Sequence, residues 1–203
     1  MSGLLPGSGE VLVISARLDP PPERVARLAE TLSPAERARA ARWATPERRR
    51  RAAVSRGLLR ELLGRATGRA PKALDIRADA GGRPLLADGA VRFSVTHCGE
   101  RLLVALSADR DVGVDLERHR TVLHADAVAR RALPAEDARL VAALPEPERS
   151  AALIAAWTRM EARFKASPGP AGGATVRTLD AGPGWSAAVA ATGDDGWRPV
   201  WAA

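Results

Sequence analysis

The order strand, helices, strands occurs twice along this chain, and a supersecondary unit used twice admits few architectures. In the first pass, residues 11–15 fit a short strand, and residues 22–31 carry Val25, Leu28 and Ala29 at helical spacing. Ser33-Pro34-Ala35-Glu36 reads as a capping box with proline at the first helical position, and Thr45-Pro46 starts a further helix that ends near Gly64. Gly81-Gly82-Arg83-Pro84 is a turn cluster, after which residues 91–96, 102–107 and 112–117 predict an antiparallel meander. The second pass has a helical region from about 121 to 166, broken near Pro134 and Pro145 and stopped by Ser167-Pro168-Gly169-Pro170. The remainder, with residues 185–190 and 197–201, then reads as strand. The pattern predicts an α+β fold of two similar lobes, residues 1–108 and 109–203, meeting near residues 108–112.

With 203 residues, 46% of them hydrophobic, the chain can bury a substantial core. No apolar run approaches the roughly 20 residues of a membrane-spanning helix, and the opening MSGLLPGSGE lacks a basic start followed by an apolar stretch. A cytoplasmic protein without membrane association is expected. Cys98 is the only cysteine, which excludes an internal disulfide and a cysteine-based zinc site. The formal charge is +7, yet only Lys72 and Lys165 among the cationic residues are lysines. So strong a bias, with abundant alanine, resembles a coding preference, and the basic pI is not by itself a sign of nucleic-acid binding. The positive field favours phosphorylated ligands and acidic partners.

Three segments carry chemistry. In Val112-Gly113-Val114-Asp115-Leu116-Glu117, strand alternation sends the three apolar side chains to one face and Asp115 and Glu117 to the other. A same-face carboxylate pair is stable when solvated or when a cation lies between its members, and the solvated face is the simpler expectation. In residues 157–165, Trp157, Glu161 and Lys165 recur every four positions on one helical stripe. An ordinary surface Glu-to-Lys pair has this spacing, although a lysine kept in so arginine-rich a chain hints at a need for a compact ammonium. Phe93-Ser94-Val95-Thr96-His97-Cys98-Gly99 is a strand ending in a polar corner. There His97 and Cys98 point to opposite faces, against a Cys–His nucleophile pair, and His97, His119 and His124 lack metal-ligand spacing. Arginines crowd residues 37–51 too densely for one helix face, so most of them are expected in water.

Taken in order, Gly82-Arg83-Pro84, Thr96-His97-Cys98-Gly99, the 112–117 strand and the 157–165 helix resemble the hallmarks of the 4′-phosphopantetheinyl transferases. The resemblance is to the larger, monomeric type that activates peptide and polyketide synthases, and it covers nearly the whole chain. It implies two lobes related by a pseudo-twofold, each an antiparallel sheet packed with helices, with a coenzyme A cleft between them. It implies magnesium at Asp115, Glu117 and Glu161, coenzyme A contacts from Arg39, Arg42, Arg51, Arg83, Thr96, His97 and Lys165, and catalytic roles for Glu161 and Lys165. Glu136 matches an acidic family position near the carrier or metal region. The implied partner is an acidic apo acyl or peptidyl carrier protein, whose serine attacks the β-phosphate of coenzyme A and releases 3′,5′-adenosine bisphosphate.

The chain departs from the family pattern at several points. Met160 and Glu36 stand where the family has lysines, Arg83 replaces a lysine and Thr96 a serine, and residues 166–173 replace a Gly-Lys-Gly segment. Two readings of other classes remain in view. A magnesium-dependent phosphatase or nuclease would also use an Asp/Glu set but needs no acceptor protein, and a basic nucleic-acid-binding module would need neither Asp115 nor Glu161.

Overall fold

Side-chain caps set the starts of two first-lobe helices. The computed structural model describes residues 4–167 and 173–202. After strand β1 (Glu10–Arg17) and helix α1 (Pro22–Glu30), helix α2 (Pro34–Ala41) opens on the expected capping box. The Ser33 hydroxyl accepts from the Glu36 N–H at 3.2 Å, and the Glu36 carboxylate accepts from the Ser33 N–H at 2.8 Å. Thr45 caps helix α3 (Pro46–Thr67) through the Arg48 N–H at 3.2 Å. That helix outruns its expected end at Gly64 and stops at Gly68, whose φ of 71° supplies the left-handed cap. Gly64 serves packing instead: a Cβ there would stand 2.8 Å from the Arg69 carbonyl oxygen.

The predicted turn at residues 81–84 joins two short strands, β2 (Ile76–Ala78) and β3 (Pro84–Leu86), and β4 (Arg92–Cys98) and β5 (Arg101–Ser107) form an antiparallel hairpin. The expected meander ends there. Strand β6 (Val112–Arg118) does not pair with β5 but opens a second sheet. Helices α4 (Ala125–Ala132), α5 (Ala135–Ala143) and α6 (Glu146–Ala166) follow, with Pro134 and Pro145 at the starts of the last two. Strands β7 (Ala174–Leu179) and β8 (Trp185–Thr192) complete that sheet, and β9 (Arg198–Trp201) returns to the first. Strand β7 falls in the remainder read as strand, although no bounds had been given for it.

Both sheets follow one plan. In the first, β5 lies antiparallel to both β4 and β1; in the second, β8 lies antiparallel to both β7 and β6. Each first strand is followed by three helices, the third long, and then by a hairpin. The molecule is α+β with antiparallel sheets covered by helices, and the one parallel pairing among the described residues is β1 with β9. The sheets face each other across a shared core in which Val11, Val13, Leu103 and Ala105 meet Val112, Val114, Leu116 and Val189. The opposite face of the first sheet packs on α1 and α3 through Leu28, Val54, Leu63 and Leu102, and that of the second packs on α6 through Ala162, Ala166, Ala188 and Ala190. No helix among the described residues is long and apolar enough to cross a membrane.

Candidate active site

Strand alternation on β6 builds the site. Val112, Val114 and Leu116 turn to the other sheet, which leaves Gly113, Asp115 and Glu117 toward α6. Gly113 lets the helix come close: a Cβ there would lie 2.0 Å from the Ala162 carbonyl oxygen and 2.5 Å from the Ala166 nitrogen. Only glycine permits that approach, and it sets the last turn of α6 against the strand.

Asp115 is 5% exposed, which overturns the solvated strand face as the reading of this segment. Its Oδ1 accepts from Lys165 Nζ at 2.6 Å and from Thr96 Oγ1 at 3.1 Å, while Lys165 also donates to the Val114 carbonyl at 3.3 Å. The Glu161-to-Lys165 surface pair is therefore not what the helix stripe forms: the ammonium crosses to the strand. The other oxygen of Asp115, Oδ2, is buried without a hydrogen-bond partner among the described residues. A buried carboxylate oxygen without a donor is an uncommon expense and fits a hard cation, which prefers oxygen ligands and needs few protein carboxylates when phosphate supplies others.

The remaining acids stand apart from this pair. Glu117 is drawn to Arg120 at 3.3 Å and lies 3.9 Å from the Cys98 thiol. Among the described residues Glu161 makes no hydrogen bond or ion pair, and no three His, Cys, Asp or Glu side chains stand close enough together to hold a metal. The thiol of Cys98 is pushed above its ordinary value, first by burial and further by the Glu117 charge, and so stays protonated at neutral pH.

Of the cationic residues expected at the site, Arg83 touches Lys165, and Arg39 and Arg51 lie about His97. His97 projects from the end of β4 and lines two adjoining cavities, one with Arg51 and one with Arg39. Part of its ring reaches solvent, but the protein packed around it lowers its affinity for a proton, and the charge of Lys165 adds to the effect. Arg51 is held by Asp19 at 2.7 Å and by Glu47 at 2.9 Å, and its hydrogen bond, with its charge adding, keeps the Asp19 carboxyl below its usual range. Arg83 donates to the Lys165 carbonyl at 2.8 Å and lies 3.5 Å from Asp79, tying the turn between β2 and β3 to the end of α6. Arg42, at the C-terminal cap of α2, lines neither cavity. Glu36 makes ion pairs with Arg56 and Arg60 inside the first lobe. Met160 packs on the small core between α4, α5 and α6. Residues 168–172, most of the altered segment after α6, lie outside the described residues. Asp19, Trp43 and Arg48 join the neighbourhood although no motif had marked them.

Comparison with known proteins agrees with this architecture. A family model described as 4′-phosphopantetheinyl transferase, N-terminal, matches residues 17–110, and one described as the 4′-phosphopantetheinyl transferase superfamily matches residues 111–182. The chain belongs to the 4′-phosphopantetheinyl transferase superfamily. Among its relatives, the 4′-phosphopantetheinyl transferase HetI of Nostoc sp. is 33% identical over 79% of this chain and 69% of its own length. A provisionally named 4′-phosphopantetheinyl transferase of Synechocystis sp. is 32% identical over 67% of this chain and 56% of its own length.

Proposed function

We propose that the chain transfers 4′-phosphopantetheine from coenzyme A to a serine of an acidic acyl or peptidyl carrier protein, in the manner of the larger, monomeric transferases. The observation that carries the reading is Asp115: a buried carboxylate with one oxygen held by Lys165 and Thr96 and the other without a donor, beside cavities lined by His97, Arg39 and Arg51. The proposed lobes are residues 1–108 and 109–203, with the last strand crossing back to the first sheet. Two lobes of one plan within a single chain suit the monomeric type, and a cytoplasmic location suits the substrates. No observation favours the phosphatase, nuclease or nucleic-acid readings.

The reaction joins the carrier serine Oγ to the β-phosphorus of coenzyme A and breaks the bond from that phosphorus to the bridging oxygen, which leaves with 3′,5′-adenosine bisphosphate. Asp115, Glu117 and Glu161 would hold magnesium, which when bound neutralises charge on the pyrophosphate. The three side chains are not gathered in the ligand-free geometry, and the orphaned Asp115 oxygen is the part of the set already suited to a cation. Glu161, which has no partner among the described residues, would accept the serine proton as the nucleophile attacks. Lys165 has its ammonium at the same place and supplies positive charge to the departing phosphate. Arg39, Arg42, Arg51, Arg83, Thr96 and His97 form the proposed coenzyme A surface, with Arg83 also holding the lobes in register.

The test is intact-protein mass spectrometry of several apo carrier proteins incubated with the chain, coenzyme A and magnesium, with a chelator control. A gain of one phosphopantetheine on a carrier, absent with chelator and absent with Glu161→Gln of unchanged fold, is the expected result. Near-normal transfer by that variant would remove Glu161 from both proposed roles, and transfer that persists in chelator would remove the metal.

A further inference from the structure

Two of the three carboxylates proposed for the metal already hold a cation of the protein: Lys165 stands on Asp115 and Arg120 on Glu117. The two cations differ in setting. Lys165 also reaches the Val114 carbonyl and belongs to the partly buried floor of the site. Arg120 lies just past the end of β6, three residues on from Glu117, with 63% of its side chain exposed. Its Nη1 donates to Glu117 Oε2 at 3.3 Å, and the one other hydrogen bond of its side chain among the described residues goes to the Arg118 carbonyl at 3.4 Å. The reaction outlined above leaves Arg120 unused.

Glu117 takes both of its contacts on one oxygen. Oε2 meets Arg120 and lies 3.9 Å from the Cys98 thiol, and no hydrogen bond among the described residues goes to Oε1. Arg120 also lines a cavity of about 740 Å3 between residues 119–126 and the start of α6, with His119, Val122 and Ser150 on its walls. A guanidinium that leaves Glu117 has that space to enter.

Charge decides what this pair can do. A divalent ion on the Glu117 carboxylate would stand a few ångströms from the guanidinium, and like charges at that range repel, so the ion and the Arg120–Glu117 contact compete for one group. An exposed ion pair is weak, which makes the exchange cheap. Lys165 and Arg120 together cancel most of the charge of Asp115, Glu117 and Glu161, so the bare acids attract a divalent ion less than three free carboxylates would. A ligand that brings phosphate oxygens of its own offsets that loss.

Resting on the transfer reading above, we infer that Arg120 is a built-in counter-ion of Glu117 that gives way to the divalent metal and moves into the cavity beside α6. Arg120 thereby keeps the bare carboxylates from holding metal tightly and leaves tight loading to the complex with coenzyme A. It acts through Glu117 and touches none of the reacting atoms, so it is a positioning residue. Arg118 supplies the control. It carries the same charge two residues earlier and forms no ion pair among the described residues, but it turns to the opposite face of β6, where its guanidinium lies 5.9 Å from the centre of the Trp185 ring.

Manganese, which suits the same oxygen ligands as magnesium, is the probe, with the free ion counted by electron paramagnetic resonance. It is titrated into the full wild-type chain, Arg120→Gln, Arg120→Lys and Arg118→Gln, each with and without coenzyme A, with the coenzyme alone as blank and thermal melts confirming folded protein. Arg120→Gln is expected to bind manganese about three- to fivefold more tightly than wild type. Arg120→Lys keeps a cation within reach of Glu117 and stays within about twofold of wild type, as does Arg118→Gln. Unchanged or weaker binding by Arg120→Gln overturns the assignment. Equal tightening by Arg118→Gln overturns it too, because net charge and not the hold on Glu117 then sets the affinity. Carrier modification by the wild-type protein is followed alongside. If it proceeds while Arg120→Gln binds manganese as wild type does, the counter-ion role alone falls; if wild type neither holds manganese with coenzyme A nor modifies a carrier, the transfer reading falls with it.

Discussion

The buried Asp115–Lys165 pair is where single residues carry most consequence. Asp115 has almost no access to water, and its Oδ1 is held by an ammonium whose side chain is 28% exposed. Removing one member of a buried ion pair leaves the other desolvated and uncompensated, at a cost of about 3–5 kcal/mol when burial is complete. With Lys165 reaching solvent, Lys165→Met is expected to lose about 2 kcal/mol in urea unfolding without divalent metal. Asp115→Asn combined with Lys165→Met should recover most of it, because the stranded charge is gone. Magnesium should likewise raise the unfolding midpoint of Lys165→Met, by supplying a cation to the orphaned carboxylate. Equal destabilisation of the single and double variants would show that packing of the lysine stem, and not Asp115, sets the cost. The sequence showed which residues share a strand face and which share a helix stripe, since both follow from periodicity. That Lys165 meets Asp115 rather than Glu161 was not legible, because it depends on how closely Gly113 lets α6 approach.

Among the elements, the packing of α2 on α3 rests on Glu36. Its carboxylate receives the Ser33 N–H, Arg56 and Arg60, and Arg60 is 3% exposed. Burial alone would raise the proton affinity of Glu36, but the bonds from Arg60 and the Ser33 N–H, with the charge of Arg56, outweigh it and hold the group below its ordinary 4.5. A carboxylate lowered in the folded state contributes stability that is present above its unfolded value and is lost as pH falls through its folded one. Glu36→Gln is therefore expected to lose about 3 kcal/mol at neutral pH, and the gap to wild type should close as pH falls below the usual carboxylate range. Urea midpoints across pH 3 to 7 (roughly the span over which carboxylates titrate) test this, and a gap independent of pH would assign the loss to helix capping alone. The capping box at Ser33 was readable from four residues because its partners are local. The arginines that meet Glu36 come from the next helix, so a position that looked like a missing phosphate ligand is the anchor of a buried cluster.

At the scale of the whole molecule, the repeat of strand, helices and hairpin was legible because each half carries its own caps, turns and periodicity. The sheet to which a strand belongs was not, since residues 112–117 look alike whether they extend a meander or open a new sheet. Their apolar face decides the matter. Val112, Val114 and Leu116 pack against Val11, Val13, Leu103 and Ala105, so each sheet is the cover of the other. The parallel β9, paired with β1 from Glu10 to Val13, carries the end of the chain back into the first sheet. A core divided between the lobes cannot be satisfied by either alone, because separation exposes both inner faces at about 25 cal/mol per Å2 of apolar surface. The full chain should therefore unfold in one transition, with far-ultraviolet circular dichroism and tryptophan emission giving the same urea midpoint. Residues 1–108 expressed alone should fail to show a cooperative transition, lacking β9 at one edge of the sheet and β6 against its inner face. Two separated transitions in the full chain, or a cooperatively folded 1–108 fragment, would mean that the lobes are independent domains and that the buried Asp115 is held by one of them alone.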